Sequence, residues 1–348
     1  MQVKTFKFPD FPKDQINEFL DLIENKLIYY SVEYNELLVS ALSNSECYCI
    51  CVLQKKSILG LFWFHIYEND KGVKVANSLP FFGGHGGSIV LPNSDYKLCV
   101  ENLLIGKFLA ICGENGVASC LIVENLHEAS NDELYTRHGF EKVERRIGQI
   151  TMLPSQSTSS EVGKLLFANF HVKTRNAIRK GLNYEQDITL DNSRKAWDWL
   201  EQEHWNSIVA LGGVPKSSQV FESIRSSKIE HRLYVGRGRE GISSALLILL
   251  FNKTVEYFTP VSLPSLRNQQ VLPSLIFTVM KELSMEGFEY WNWGGTWESQ
   301  TGVYRFKKRF GAVDFPYRYF GKIFSTELLE IEPQTLRDKF PYYYVRKY

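Results

Sequence analysis

The sequence predicts an α/β protein built from two similar domains in tandem. Its 348 residues exceed the usual length of one domain. One order of helices and strands occurs twice, and glycines that end matching helices recur at a fixed spacing. Gly116 and Gly287 lie 171 positions apart, and Gly139 and Gly311 lie 172 apart. A repeat of this length indicates two copies of one domain, not an array of short units.

The composition is that of an ordinary soluble globular chain, with 44% hydrophobic and 23% charged residues. Forty basic and 39 acidic residues leave a formal net charge of +1. This balance argues against a surface that coats nucleic acid, so we expect no DNA partner and only local sites for anions. No secretory signal is visible, and the longest apolar run, 245–251, is too short to cross a bilayer. We therefore expect a cytoplasmic protein without a transmembrane segment.

All six cysteines lie in the first 120 residues. Cys47, Cys49 and Cys51 alternate as on one face of a strand, and no CxxC spacing occurs. We expect reduced core cysteines and neither a metal site nor a disulfide.

The first half predicts helices over 13–43, because Ile16, Phe19, Leu20 and Ile23 recur at helical spacing. The later elements of this half are strands at 47–54 and 58–67, a glycine-dense segment at 78–90, a helix over 97–112, a strand at 117–125, and a short helix that closes on Gly139 before a further strand.

The second half repeats this order. It predicts strands at 230–238, 242–251 and 254–262, a helix over 272–285, a strand at 288–295, a short helix from 303 that closes on Gly311, and a final strand. The polar stretch before it leads into a basic helix and reads as a linker.

Several segments resemble known acyltransferases. LYTRHGF (134–140) is similar to the closing segment of the GNAT superfamily. KTRNAIRKG (173–181), WNSIVALGGVP (205–215), WNWGG (291–295) and YRFKKRFG (304–311) together resemble the FemABX group, and SLPFFGGHGG (78–87) looks like its Pro-Phe-glycine segment. These tandem GNAT-like aminoacyltransferases include enzymes that add bridge amino acids to peptidoglycan precursors. Bacterial surface-polysaccharide acyltransferases are also similar.

The resemblance implies two tandem GNAT-like domains with mixed central sheets flanked by helices. It places an acceptor-side domain at 1–153, a linker with the basic helix at 154–181, and a donor-side catalytic domain at 182–320. The segment 321–348 is expected to pack back on the first domain. The acceptor would lie in a cleft that both domains share.

Four of the five residues 305–309 are cationic. Phe306 and Phe310, four apart, can anchor one face of a helix and leave Arg305, Lys308 and Arg309 around it to meet phosphate oxygens. The alternative is a solvated basic helix.

By resemblance, Phe306 and Lys307 occupy the family's FK pair, and Lys307 would neutralise charge on the acyl oxygen or the leaving group. Tyr304 would donate a proton to that group, or else is a core tyrosine. The resemblance also assigns Trp293, Gly294 and Gly295 of WNWGG to substrate binding.

The segment 78–87 places Phe82, Gly83, Gly84 and His85 where backbone N–H groups and an imidazole could meet a ligand. The alternative is a tight chain reversal.

In the basic helix, Arg175 and Arg179 share a face and could bind the phosphates of a nucleotide-linked acceptor or of a tRNA end. The alternative, to which we give equal weight, is a solvent-exposed helix that binds no ligand. The resemblance places His204 in the family's acceptor-side helix, so we add it to the residues expected to bind substrate.

The glycine-rich loop that acyl-CoA-dependent GNAT enzymes carry is absent from 262–277, SLPSLRNQQVLPSLIF, so no pyrophosphate cradle is evident. We expect no tightly bound cofactor and favour aminoacyl-tRNA as co-substrate, with amide formation on a nucleotide- or lipid-linked glycan or peptidoglycan precursor. The alternatives are an acyl-CoA-dependent N-acyltransferase that modifies an amino sugar for O-antigen or capsule, and a non-catalytic module of the same fold. The expected partners are thus a glycan precursor and the acceptor end of tRNA. Peripheral contact with a membrane is compatible with this prediction.

Overall fold

The computed structural model describes residues 1–81, 84–92, 94–127, 131–155, 158–184 and 187–346. The chain forms two compact units. Unit 1 comprises Met1–Ile147 and Phe315–Tyr348, and unit 2 comprises Gly148–Asp314.

The strands in chain order are β1 (Gln2–Lys7), β2 (Ser45–Gln54), β3 (Ser57–Glu68), β4 (Lys74–Asn77), β5 (Ser88–Val90), β6 (Val117–Val123), β7 (Glu141–Met152), β8 (Asp187–Leu190), β9 (Glu230–Gly238), β10 (Gly241–Phe251), β11 (Thr254–Ser262), β12 (Tyr290–Trp297) and β13 (Val313–Ile323). The α-helices are α1 (Lys13–Asp21), α2 (Val32–Ala41), α3 (Lys97–Glu114), α4 (Asp132–Arg137), α5 (Ser159–Asn169), α6 (Val172–Leu182), α7 (Arg194–Ala210), α8 (Ser218–Ser226), α9 (Val271–Met285), α10 (Thr301–Arg309), α11 (Glu327–Glu330) and α12 (Pro333–Lys339). Short 3₁₀ helices span Ile28–Tyr30 and Pro264–Gln269.

The sheet of unit 1 has the order β1-β2-β3-β4-β6-β13, followed by the first part of β7, and β5 pairs with β3. β4 and β6 are parallel, whereas β13 runs antiparallel to β6 with Tyr319 opposite Val123. The hydrophobic core packs α3 on this sheet through buried residues such as Leu104 and Phe108.

The sheet of unit 2 has the order β12-β11-β10-β9-β8 and begins with the last part of β7. β11 and β12 are parallel, and the pairs β10–β11, β9–β10 and β8–β9 are antiparallel. The core of this unit lies between the sheet and α9, whose Leu275, Val279 and Leu283 are fully buried.

The units divide the chain differently from the predicted domains. The predicted linker 154–181 is part of unit 2, because Val162 of α5 and Ile178 of α6 are fully buried in its core. The predicted catalytic domain was extended to residue 320, but β13 from Phe315 onward belongs to unit 1, where it pairs with β6.

The repeated glycines end corresponding helices in the two halves. Gly139, after α4, has φ of 75°, and Gly311, after α10, has φ of 77°. A side chain is strained at such angles, so glycine at both positions fits a helix ending that both halves share.

Cys47, Cys49 and Cys51 of β2 are fully buried, as are Cys112 and Cys120. Cys99 is exposed, which differs from the expectation of core cysteines throughout. Within the described ranges, no helix combines the length and apolarity needed to cross a membrane.

Candidate active site

The helix α10 is attached to the core of unit 2 by two phenylalanines. Phe310 is 1% exposed, and its ring centroid lies 5.2 Å from that of Trp293. Phe306 is half-buried, with its centroid 6.0 Å from that of Trp293 and 5.1 Å from that of Phe310. This packing fixes the rotation of the helix, and therefore the direction of Lys307, the residue after Phe306.

Lys307 points into unit 2 and is only 5% exposed. Its Nζ donates to Thr296 Oγ1 at 2.7 Å and to the carbonyl oxygens of Gly294 and Gly295 at 3.3 and 3.4 Å. All three acceptors belong to β12, so the three N–H bonds of the ammonium are directed at one strand.

Burial lowers the pKa of Lys307 from its ordinary value of 10.5 to about 7. The amine therefore changes charge near neutral pH, which suits a group that must both hold and release a proton.

The lowered pKa of Lys307 predicts a pH-dependent stability. Between about pH 7 and 10.5 the unfolded chain keeps a proton on this lysine that the folded chain has lost, so the free energy of unfolding rises with pH in that window. Within that window the slope approaches about 1.4 kcal/mol per pH unit. Below pH 7 the free energy of unfolding no longer changes with pH through this group. Urea unfolding from pH 6.5 to 10 should show this rise reduced in Lys307→Met relative to wild type. Equal pH profiles of stability would show that folding does not lower the pKa of Lys307.

A series of polar contacts links Lys307 to a carboxylate. Thr296 Oγ1 donates to Gln149 Oε1 at 3.5 Å, and Gln149 Nε2 donates to Asp314 Oδ1 at 3.2 Å. Thr296 and Gln149 are fully buried. Gln149 lies in β7 and Asp314 in β13, so both come from strands outside the segment that carries Lys307.

The other oxygen of Asp314 is shared by two side chains of α10. Oδ2 accepts from Tyr304 Oη at 2.8 Å and from Lys308 Nζ at 3.0 Å. The hydrogen bond to the Asp314 carboxylate, with a smaller effect of burial, raises the pKa of Tyr304 above its usual value. The phenol therefore donates to Asp314 in this structure.

The acceptors of Lys307 lie where two parallel strands stop pairing. The β11–β12 ladder ends at Glu256 and Asn292. Beyond it, Gly294 has φ of 69°, and its N–H donates to Asn292 Oδ1 at 2.9 Å instead of to a strand. Asn292 Nδ2 donates to buried Glu256 at 2.9 Å. The turned backbone of β12 thus presents its carbonyl groups to Lys307.

The other residues predicted around this site occupy different environments. Trp293 is 3% exposed, and its indole donates to Thr151 Oγ1 at 2.9 Å, so its ring is part of the core of unit 2. Gly294 and Gly295 hold Lys307 through their carbonyl groups. Of the remaining cations in the run, Arg305 is exposed and Arg309 is half-buried.

The glycine-dense segment of unit 1 packs tightly in its described part. A Cβ on Gly84 would lie 2.3 Å from Leu79 Cδ2, so a larger residue there would require the Leu79 side chain to move. The His85 ring is fully buried between Tyr29 and Tyr317. Phe82 and Gly83, also predicted to bind substrate, lie outside the described residues. The strands that flank the segment, β4 and β5, both run antiparallel to β3, so the chain has the same direction before and after it, and the alternative of a tight chain reversal is not supported.

Arg175 and Arg179 share a face of α6, and that face is turned toward α5. Arg175 Nη1 donates to the carbonyl oxygens of Phe167 and Phe170 at 3.2 and 3.1 Å, which satisfies the end of α5. The Arg179 guanidinium lies 5.3 Å from the centroid of the Phe167 ring and donates to Asn176. The described contacts of both arginines are therefore local and structural.

His204 supports a loop. Its Nε2 accepts the backbone N–H of Lys216 at 3.0 Å, and burial, with the nearby Lys216 charge, lowers the pKa of His204 to about 3. The ring is thus neutral and occupied by the loop, which leaves it poorly suited to bind an anion.

The same loop carries a cation that the sequence did not single out. Lys216 Nζ donates to the carbonyl oxygen of Phe258 at 3.4 Å and lies 4.7 Å from the centroid of its ring. Burial lowers the pKa of Lys216 to about 8. Phe258 lies at an irregularity of β11, two residues beyond the last pair with β12.

Sequence reasoning also missed Gln149, Thr296 and Asp314. Asp314 had a local signal, because it is the first acidic residue after the basic run. Gln149 had none, since its contact with Asp314 joins positions 165 residues apart.

The start of α9 occupies the place of the missing glycine-rich loop. The residue before it, Gln270, has φ of 60°, and α6 packs closely there: a Cβ on Gly181 would lie 2.3 Å from Gln270 O. Pro273 in the first turn lacks an N–H.

The fold has close structural counterparts. FemX superposes with a TM-score of 0.69 over 95% of this chain and 99% of its own, at 12% identity. A tandem GNAT protein from the clavulanic acid biosynthesis pathway gives 0.60 over 92% and 98%, at 8% identity. The C-terminal domain of a putative lysylphosphatidylglycerol synthetase from Agrobacterium fabrum gives 0.54 over 93% and 96%, at 10% identity. No protein-family model and no curated protein matches the sequence.

These similarities extend over nearly the full length of each chain. The predicted fold class, two tandem GNAT-like domains with mixed sheets flanked by helices, is confirmed. Because the identities are low, the likeness establishes the fold alone.

Proposed function

We propose that this chain, which has the tandem GNAT-like fold, is an acyltransferase that forms an amide on an amine of a cell-envelope glycan or peptidoglycan precursor. The observation that carries the proposal is the buried amine of Lys307, held on β12 where the β11–β12 ladder has ended. A charge-changing group in such a position is costly to bury and is typical of a functional site.

The reaction needs few groups from the protein. The acceptor nitrogen forms a bond with the acyl carbon, the bond from that carbon to the leaving oxygen or sulfur breaks, and one proton passes from the amine to the leaving group. Protonated Lys307 exchanges one of its longer hydrogen bonds, to Gly294 or Gly295, for the acyl oxygen or leaving group and stabilises the charge that develops there. With a pKa of about 7 it can give its proton to the leaving group and regain one from the acceptor amine. The remaining rate increase comes from positioning the two substrates.

Aminoacyl-tRNA is the favoured donor. The start of α9 has no glycine and is closely packed by Gly181, which disfavours a backbone cradle for the pyrophosphate of CoA at that helix. The resemblance to FemABX enzymes, and the likeness to a domain of a protein named for attaching an amino acid to a lipid, support an aminoacyl donor and a nucleotide- or lipid-linked acceptor.

An acyl-CoA donor is the second candidate, with an amino sugar as acceptor. It is favoured by the likeness to a tandem GNAT protein whose description refers to AcCoA.

Transfer assays separate the two donors. Purified protein is incubated with radiolabelled charged tRNA or with acetyl-CoA, each together with nucleotide-linked amino sugars and muropeptides, and amide products are identified by mass spectrometry. We expect an aminoacylated product that requires charged tRNA. Product only with acetyl-CoA would establish the second candidate, and no transfer from any donor would reject the enzyme.

Replacing Tyr304 by Phe should reduce the transfer rate by less than about 10-fold. In the structure its hydroxyl donates to Asp314, so the variant loses one of two donors to that oxygen. A tyrosine that protonates the leaving group would instead contribute about 10²- to 10⁴-fold. Single-turnover rates of Tyr304→Phe and wild type distinguish these roles, and a loss above 10²-fold would restore Tyr304 as the proton donor.

A further inference from the structure

Lys307 is a buried cation without a directly paired carboxylate. Among the ion pairs of the described residues, none includes Lys307, whereas its neighbour Lys308 contacts Asp314 at 3.0 Å. A buried ammonium without an anion is costly, and two carbonyl groups and a hydroxyl compensate only in part.

Three hydrogen bonds connect this ammonium to Asp314 in series. They run from Lys307 Nζ to Thr296 Oγ1 at 2.7 Å, from Thr296 to Gln149 Oε1 at 3.5 Å, and from Gln149 Nε2 to Asp314 Oδ1 at 3.2 Å. The middle bond is long and the weakest of the three.

The donors and acceptors allow only one direction along this series. An ionised carboxylate can only accept, so Gln149 must turn its NH₂ toward Asp314 and its oxygen toward Thr296. The Thr296 hydroxyl then donates to Gln149 and offers a lone pair to Lys307. A lone pair at that position favours the protonated amine, and bonds that share one direction polarise one another.

We infer that Asp314 is the remote counter-ion of Lys307, and that Gln149 and Thr296 are positioning residues that transmit its charge through the buried series. The catalytic meaning of this arrangement rests on the proposed function, but the arrangement itself does not. Without the charge of Asp314, the desolvated amine of Lys307 would be neutral over a wider pH range.

The groups around the series support this direction. On α10, Tyr304 and Lys308 both donate to Asp314 Oδ2, which leaves Oδ1 for Gln149. β12 contributes Thr296 and two carbonyl groups, and β7 contributes Gln149, none of which titrates. Asp314 is therefore the acidic group that side-chain contacts alone join to Lys307, whereas buried Glu256 is reached only through Asn292 and the backbone of Gly294.

The test is a titration of Lys307 itself. The pKa of its amine is measured by NMR of protein labelled with ¹³C at lysine Cε, with Lys307→Met used to assign the signal. Asp314→Asn removes the charge, and Thr296→Val removes the hydroxyl with little change of volume. Both should lower the pKa of Lys307 by about one pH unit. Thr296→Ser, which keeps the hydroxyl, and Arg305→Met, an exposed change on the same helix, should leave it within a few tenths.

Thermal unfolding by circular dichroism shows that each variant is folded. If Asp314→Asn does not fold, Thr296→Val against Thr296→Ser carries the test. An unchanged Lys307 pKa in folded Asp314→Asn or in Thr296→Val would overturn the inference. Lowered values in a protein that transfers no acyl group would uphold the inference and reject the proposed function.

Discussion

Lys307→Met should lower the rate of acyl transfer by about 10²- to 10⁴-fold while the protein stays folded. Methionine fills much of the same volume but cannot carry a proton or stabilise a developing negative charge. Because the wild-type amine has a pKa of about 7, the wild-type rate should fall as pH rises above 7, and the residual rate of the variant should lack that decrease. Single-turnover rates between pH 6 and 9 measure both effects.

The matched control for Lys307→Met is Lys228→Met, which removes a lysine from an exposed position of unit 2 that no candidate site includes. Its transfer rate should stay within about threefold of wild type, because an exposed charge acts weakly through water. Cells that depend on the protein provide a second comparison. If Lys307→Met supports their growth as well as wild type does, the chain acts as a binding module and not as an enzyme.

Local patterns predicted most of the elements but not the way the strands are assembled. The helices α3, α9 and α10 follow from apolar periodicity and from glycines that end them, which are short-range features. The short strands β4, β5 and β8 carry little alternation, and the pairing of β13 with β6 joins residues about 200 positions apart. Such pairings depend on burial in the finished fold, which periodicity does not encode.

The candidate site shows the same division. The spacing of Phe306 and Phe310 gave the apolar face of α10, but charge alone could not tell which cation is buried, and the family resemblance singled out Lys307. Arg175 and Arg179 were correctly placed on one face of α6, yet the guanidinium groups on that face contact Phe167 of α5. An arginine that donates to the last carbonyl groups of a neighbouring helix cannot be told by its local sequence from an arginine that binds phosphate.

Trp293→Ala should lower the free energy of unfolding by about 3 to 5 kcal/mol. The indole is 3% exposed, its centroid lies 4.8 Å from that of Tyr257 and 5.2 Å from that of Phe310, and its N–H donates to Thr151. Removing it leaves a cavity beneath α10 and takes one hydrogen bond from Thr151 Oγ1, which still donates to Phe310 O at 3.1 Å. Urea unfolding at one pH measures the loss, and Trp205→Ala, at a position 52% exposed, should change stability by less than about 0.5 kcal/mol.

This prediction also decides between two roles for Trp293. A tryptophan that stacks on substrate would raise KM when truncated and leave stability nearly unchanged. A core tryptophan that supports Phe306 and Phe310 should instead lose stability first, and activity with it, because the helix that carries Lys307 would no longer hold its rotation. Trp293→Phe separates packing from hydrogen bonding: it keeps an aromatic ring in the core but loses the N–H donated to Thr151, so we expect a cost of about 1 to 2 kcal/mol. A large rise in KM for Trp293→Ala at wild-type stability would return this residue to the substrate site and leave α10 without its main support.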